Sequence, residues 1–161
     1  MKLTPLLFSA VSLAVLPLSA HAKIERVVEK SFSVQPGGTL TVETQGGNIR
    51  VETSDDLTVK VVAKETMRTN SEQEADEILR KLSLDIVQDS GGVSARARYE
   101  NKPAGFHWGS WPPVQVSFVV TVPRQYHATL KTSGGDIDVA DLNGKLHART
   151  SSGGDVTIET M

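Results

Sequence analysis

The sequence predicts an all-β fold, a solenoid-like stack or a meander of short strands with one surface α-helix over about residues 72–82. Three observations predict it. Short segments alternate apolar and polar residues, which is the period of a half-buried strand. Ten of the 13 glycines occur as adjacent pairs, each directly before such a segment. One Gly-Gly phrase occurs three times. The length of 161 residues fits one domain.

Residues 1–22 have the pattern of a secretory signal peptide. A positive start is followed by the apolar run 6–18, and Ala20-His21-Ala22 fits the small-x-small cleavage rule. The run is shorter than the roughly 20 residues that span a bilayer. We therefore expect cleavage after Ala22, a single β-repeat domain over 23–161 without a transmembrane segment, and export to the periplasm or the cell surface.

Composition excludes several classes of protein. There is no cysteine, so disulfides, thiolate metal sites, thiol nucleophiles and a lipid-modified N-terminal cysteine are ruled out. The 17 basic residues against 19 acidic ones give a formal charge of −2, which argues against a nucleic-acid partner. No motif calls for a cofactor, and none is expected.

The clearest strand is 114–122, in which Val114 to Val122 alternate with Gln, Ser and Thr. Thr and Val at the intervening positions suit a pleated sheet. Shorter segments of the same kind are 40–42, 49–51, 57–61, 84–86, 137–139, 146–148 and 156–158.

Residues 71–82 break the alternation and predict the helix. Ser71 and Glu74 form a capping box, and acidic residues come early and basic ones late, which suits the helix dipole. We expect a surface helix that packs its apolar stripe on a sheet, with a partner-binding helix as the alternative. The stripe consists of Ala75, Ile78, Leu79 and Leu82.

The repeated phrase sets the architecture. Residues 132–139 (TSGGDIDV) align with 151–158 (SSGGDVTI) 19 residues later, and 45–51 (QGGNIRV) is an earlier copy. A spacing of 19 holds two short strands and two turns, and stacked units of this kind bury ladders of Ile, Val and Leu. The printed chain stops after the last copy. We therefore expect either a truncated repeat protein or an end covered by another copy through its C-terminal strand edge.

Several phrases in a fixed order carry a resemblance: 32–42 (FSVQPGGTLTV), 46–51 (GGNIRV), 132–137 (TSGGDI) and 151–156 (SSGGDV). They resemble the bacterial putative-adhesin β-strand-repeat domain, also known as a domain of unknown function, over most of the chain after the signal. The resemblance implies an all-β, solenoid-like fold in exported or cell-envelope proteins and supplies no catalytic residues. Members of the family continue through further Gly-Asp repeats, and this chain departs from them by stopping early.

No catalytic constellation is predicted. There is no Gly-x-Ser-x-Gly, and the spacing of His107, His127 and His147 matches no metal motif. An enzyme that acts on polysaccharide remains an alternative, and it needs two carboxylates about 5–9.5 Å apart in a groove.

Asp136, Asp138 and Asp155 are weak metal candidates, because Gly-Gly-Asp-Ile-Asp faintly resembles calcium-loading β-roll repeats. Those repeats have a nine-residue period rather than 19. An Asp directly after Gly-Gly is typical of a turn in which its side chain accepts a backbone hydrogen bond. We therefore expect no metal site.

The loop 101–113 (NKPAGFHWGSWPP) contains both tryptophans. Exposed aromatic rings stack on sugars and peptides with large contact area, so Phe106, Trp108 and Trp111 are candidate ligand contacts. The alternative is that the tryptophans cover an open end of the core.

Together these features predict a non-enzymatic, exported protein of the cell envelope or cell surface, adhesin-like in role, whose partner is an envelope glycan or protein. The alternatives are a polysaccharide-acting β-solenoid enzyme and a structural or regulatory envelope component that self-associates through strand edges.

Overall fold

The structure is a computed structural model that describes residues 23–100 and 112–159. Within them it is mainly β, with two open, mixed sheets and one short helix, so the predicted all-β class is confirmed. The elements are β1 (Ile24–Ser33), β2 (Thr39–Thr44), β3 (Ile49–Ser54), β4 (Thr58–Met67), α1 (Glu72–Leu79), β5 (Leu82–Asp89), β6 (Gly92–Tyr99), β7 (Val114–Pro123), β8 (His127–Thr132), β9 (Ile137–Ala140), β10 (Leu146–Thr150) and β11 (Val156–Glu159). No helix in these ranges is long and apolar enough to cross a membrane.

The six-stranded sheet has the order β1-β4-β7-β3-β9-β11, and the five-stranded sheet has the order β10-β8-β2-β6-β5. Three corner units, β2–β3, β8–β9 and β10–β11, each start in the five-stranded sheet and end in the six-stranded one. Their strands pair in parallel from unit to unit, β2 with β8 and β8 with β10, β3 with β9 and β9 with β11. The sequence copies therefore lie side by side in space.

The strand register matches the alignment of the repeated phrases in one sheet and differs from it by one residue in the other. Ile49 pairs with Ile137, and Ile137 pairs with Val156, as the alignment of the phrases predicts. In the five-stranded sheet, however, Thr132 pairs with Thr150 rather than with Ser151. The last corner therefore holds one residue more than the others, which explains the spacing of 19.

One core fills the space between the sheets, because inward side chains of both belong to a single buried cluster. The alternating face of β7 is buried along its whole length, as its pattern predicts. The apolar rows of β3 and β9 are equally covered. On β11, by contrast, Val156 and Ile158 are 42% and 56% exposed, because the structure describes no strand beyond it.

The helix is shorter than predicted: it ends at Leu79, with Arg80 as its C-cap, instead of reaching residue 82. Leu82 begins β5 and pairs with Tyr99 of β6. The Lys81 carbonyl accepts the Glu100 amide at 2.8 Å, so sheet pairing takes over where the helix stops.

The predicted N-terminal cap of the helix is present in one half. The Ser71 hydroxyl accepts the Glu74 amide at 3.3 Å. The Glu74 carboxylate instead accepts the Thr69 hydroxyl at 2.5 Å, and the Ser71 amide donates to that same threonine oxygen at 3.1 Å. Ala75 and Ile78 of the predicted stripe are buried.

Strands β1 and β5, with α1, form the covered end of the molecule. Side chains cross between the sheets here: the Lys30 ammonium donates to the Ile86 carbonyl at 2.9 Å, and the Gln88 amide donates to the Ser33 carbonyl at 2.8 Å. Arg26 pairs with Glu72 of the helix. We call the opposite side, formed by β10 and β11, the open end.

Candidate functional site

The predicted aromatic contacts Phe106, Trp108 and Trp111 lie in 101–111, outside the described residues, as does the predicted signal peptide. Both stay predictions.

The Asp residues that follow the Gly pairs form a ladder along the corners. The Asn48 side-chain oxygen accepts the Asp136 amide at 3.1 Å, and an Asp136 carboxylate oxygen accepts the Asp155 amide at 3.0 Å. Each side chain thus holds the corner of the next unit. This is a backbone-capping role of the kind that the sequence favours.

Asp138 lies elsewhere, on the outer face of β9, where its carboxylate is 3.7 Å from the Arg50 guanidinium. The structure therefore does not bring the three candidate aspartates together. Across residues 23–100 and 112–159, no group of three or more His, Asp or Glu side chains is arranged to hold a metal ion.

A second ladder, of threonines, was not recognised in the sequence. The hydroxyls of Thr44, Thr132 and Thr150 donate to the carbonyls of Val116, Gly47 and Gly135, at 2.8, 2.9 and 3.3 Å respectively. The signal was present, because a threonine precedes each Gly-Gly corner, in TQGG, TSGG and TSSGG. Its meaning depends on the register, which only the structure supplies.

Two buried polar groups belong to the scaffold. Burial raises the pKa of the Glu65 carboxyl, and the nearby Arg26 charge opposes that shift. Burial, with the Asp89 charge, also raises the pKa of the Tyr126 hydroxyl, which has no hydrogen-bond partner among the described residues. The Tyr126 ring packs directly against Gly38, where a Cβ would lie 2.6 Å from its hydroxyl oxygen.

The strongest candidate site is on the outer face of the five-stranded sheet. We define the Glu43 groove as the open depression of about 330 Å³ lined by the outward side chains of β2, β6, β8 and β10 and by the corners that follow them. Its polar lining includes Glu43, Gln45, Arg98, Lys131, Ser133, Arg149 and Ser151.

Strand pairing produces this groove. Lys131 on β8 is the direct neighbour of Glu43 on β2, and Arg149 on β10 is the direct neighbour of Lys131. Alternation turns all three side chains outward while their neighbours in sequence fill the core. Arg96, the β6 neighbour of Glu43, flanks the groove and is itself paired in register with Asp85 of β5.

Positive charge exceeds negative charge in the groove. One Glu43 oxygen is 3.7 Å from Arg96 and 3.7 Å from Arg98, and the other is 3.8 Å from Lys131. Glu43 is 27% exposed, whereas the three cations are about half exposed or more. Exposed ion pairs at such distances are weak, so these cations remain available to a bound anion.

The arrangement is suited to binding an anion. Arginine and lysine bind carboxylate and phosphate oxygens by charge-assisted hydrogen bonds. Gln45, Ser133 and Ser151 at the same corner offer neutral donors and acceptors. Sequence analysis missed the groove, because its members come from four strands and meet only through the register.

Comparisons identify no family: no family model matches the chain, and no curated protein matches it. Among solved structures, the chain is similar to a putative cell adhesion protein from Clostridium sporogenes, with 13% identity and a TM-score of 0.42 over 81% of this chain and 59% of that one. It is also similar to a putative adhesin from Bacteroides fragilis, with 12% identity and a TM-score of 0.40 over 81% of this chain and 61% of that one.

A third similar structure is called a putative lipid binding protein, from Parabacteroides distasonis, with 10% identity and a TM-score of 0.31 over 82% of this chain and 59% of that one. This chain thus spans about three fifths of the length of these proteins.

Proposed function

We propose that this chain is a non-enzymatic, exported interaction protein of the cell envelope or cell surface, adhesin-like in role, with a solenoid-like body. The partner is an acidic envelope glycan that binds in the Glu43 groove. The observation that carries the proposal is the cluster of Arg98, Lys131 and Arg149 around a single partly shielded carboxylate.

The body suits this role because it is preorganised. Parallel pairing between corner units and the two corner ladders support the solenoid-like description, and they fix the strands that carry the groove. A binding face on paired strands loses little conformational entropy when a ligand docks. The signal-peptide pattern of residues 1–22 supports export.

The aromatic segment of the sequence, residues 101–113, fits the same proposal. It follows Glu100, and the amide of the preceding Tyr99 donates to the Gln45 side chain of the groove at 2.8 Å. Phe106, Trp108 and Trp111 are therefore proposed as additional sugar contacts, because aromatic rings complement the faces of sugars.

The test compares binding of alginate, a carboxylated polysaccharide, with binding of neutral dextran. We expect alginate alone to bind and its affinity to fall as salt is raised. The double variant R98A/K131A should weaken alginate binding about tenfold or more. The matched control K60A/K64A removes two lysines from the outer face of the other sheet, where they pair with Glu29 and Glu25, and should bind like the parent.

A variant that should strengthen alginate binding complements the two double variants. E43Q removes the competing carboxylate and should strengthen alginate binding, because the surrounding cations are then unopposed. Equal binding of both polysaccharides, or equal loss in both double variants, would contradict the proposal. Shortening of the alginate during incubation would instead support the polysaccharide-acting enzyme.

A further inference from the structure

The open end exposes an apolar row that is buried in the preceding unit. Val156 and Ile158 of β11 pair with Ile137 and Val139 of β9, which are 0% and 2% exposed. Val156 and Ile158 themselves are about half exposed. Apolar side chains in the inward register, with nothing described above them, are the features of an interface rather than of a finished surface.

The backbone at this end is also available. Within the described chain, β10 pairs only with β8 and β11 only with β9, so one side of each strand presents unpaired amides and carbonyls. The inward positions of these two strands carry no charge. They are Leu146, Ala148, Thr150, Val156 and Ile158.

We propose that two copies of this chain dock through their open ends, with β10 of each copy pairing antiparallel with β11 of the other. Because the chain reverses at the corner between them, β10 and β11 run in opposite directions. A twofold axis parallel to the strands therefore brings each strand against the other one of the second copy. In the register that keeps inward rows together, Ala148 faces Ile158 of the second copy, and Thr150 faces its Val156.

Charge selects this arrangement over the other symmetric one. The outward positions of β10 are His147 and Arg149, whereas Asp155 and Glu159 lie before and at the end of β11. Pairing β10 with β11 places His147 opposite Glu159 of the second copy and brings Arg149 diagonally near both acids. Pairing each strand with its own equivalent would place Asp155 opposite Glu159, which juxtaposes like charges.

The assembly should close at two copies. The other side of the molecule ends in the edge strands β1 and β5, where the inward Lys30 ammonium donates to the Ile86 carbonyl and α1 packs beside β5. Inward charges on edge strands block further strand addition. A contact that uses the same surface on both partners is isologous and ends with the dimer. This inference does not depend on glycan binding.

Sedimentation equilibrium on the full chain, from about 1 to about 200 µM, tests the proposal. We expect a monomer–dimer equilibrium. I158K introduces a charge into the apolar row at a position that is 56% exposed in the monomer, and it should raise the dissociation constant about tenfold or more. The matched control V27K alters a residue of β1 that is 63% exposed at the covered end, and it should dimerise like the parent.

Circular dichroism establishes that both variants fold. A parent that stays monomeric throughout, that grows beyond two copies, or that responds equally to both variants would overturn the proposal. R149E tests the arrangement: it should weaken the dimer, because the introduced carboxylate would then face two acids of the second copy. A stronger dimer in R149E would show that β10 pairs with β10 and would refute the proposed pairing.

Discussion

The covered end and the open end of this molecule are edges of the same two sheets, yet they are finished in different ways. At the covered end, Lys30 and Gln88 donate to carbonyls across the gap between the sheets, and α1 packs beside them. At the open end, the inward row remains apolar and exposed on β11. The comparison shows that the edges of the same two sheets differ in their inward side chains: β1 carries inward charge, whereas the inward positions of β10 and β11 carry none.

The largest difference in stability is expected between two Ile→Ala variants of the inward apolar row, one on the interior strand β9 and one on the edge strand β11. Ile137→Ala removes a fully buried side chain and should cost about 4 kcal/mol in the free energy of unfolding. Ile158→Ala, one strand further out, should cost less than about 1 kcal/mol in dilute monomer. Urea unfolding of both variants measures the difference, and equal losses would mean that the open end is buried in the isolated chain.

The Gly-Gly corners offer the next contrast. In Gly47→Ala the new Cβ would lie 2.1 Å from the Val116 carbonyl oxygen, so the backbone of an interior unit must shift; we expect a loss of about 3 kcal/mol. Gly154→Ala meets the Gly135 carbonyl oxygen at 2.0 Å, but its unit lies at the open end and can move away. Its loss should be about 1 kcal/mol, and thermal unfolding compares the two. A larger loss at Gly154 would contradict this ranking.

Removing a hydroxyl of the threonine ladder should also cost more stability in an interior unit than at the open end. Thr132→Val removes a buried hydroxyl that donates to the Gly47 carbonyl at 2.9 Å, and it should cost about 1–2 kcal/mol. In Thr150→Val the lost bond is 3.3 Å long and partly exposed, so we expect about 0.5 kcal/mol. Chemical denaturation measures the free energy of unfolding of both variants. A Thr150→Val variant that is less stable than Thr132→Val would contradict this expectation.

The smallest effect concerns the covered end. Burial raises the pKa of Glu65, so ionisation at neutral pH costs folding free energy, although Arg26 offsets part of that cost. The stabilising contribution of protonated Glu65 is present below its ordinary pKa of 4.5 and is lost as pH rises through the raised value. Glu65→Gln should therefore raise the melting temperature at pH 7.

The gain from Glu65→Gln should shrink towards zero below pH 4.5. The control is Glu29→Gln at the same end, an exposed carboxylate paired with Lys60 at 2.9 Å, which should show no such gain. Melting curves across this pH range provide the measurement. A variant that is less stable than the parent at pH 7 would show that the attraction to Arg26 outweighs the cost of burial.

Much of the fold could be predicted from local pattern. The alternation in 114–122 predicted β7 and its buried face, and the three Gly-Gly phrases predicted corners that lie side by side. The helix was predicted over about residues 72–82 but ends at Leu79, because Leu82 satisfies helical spacing and strand alternation equally well. Pairing with β6 then decided in favour of the strand.

The candidate site could not be predicted in this way. Glu43, Lys131 and Arg149 are distant in sequence and become neighbours only through the parallel register of β2, β8 and β10. The aspartates that the sequence did single out were separated by the fold: Asp136 caps a corner, and Asp138 faces Arg50 on an outer surface.

By itself, the sequence determined the β class, the corners and which face of most strands is apolar, because these follow from side-chain periodicity and from glycine within a few neighbouring residues. Only the tertiary structure decided which strands adjoin, and therefore where the cations gather and which edge remains exposed. Those outcomes depend on contacts between residues dozens of positions apart, and no short stretch of the chain contains them.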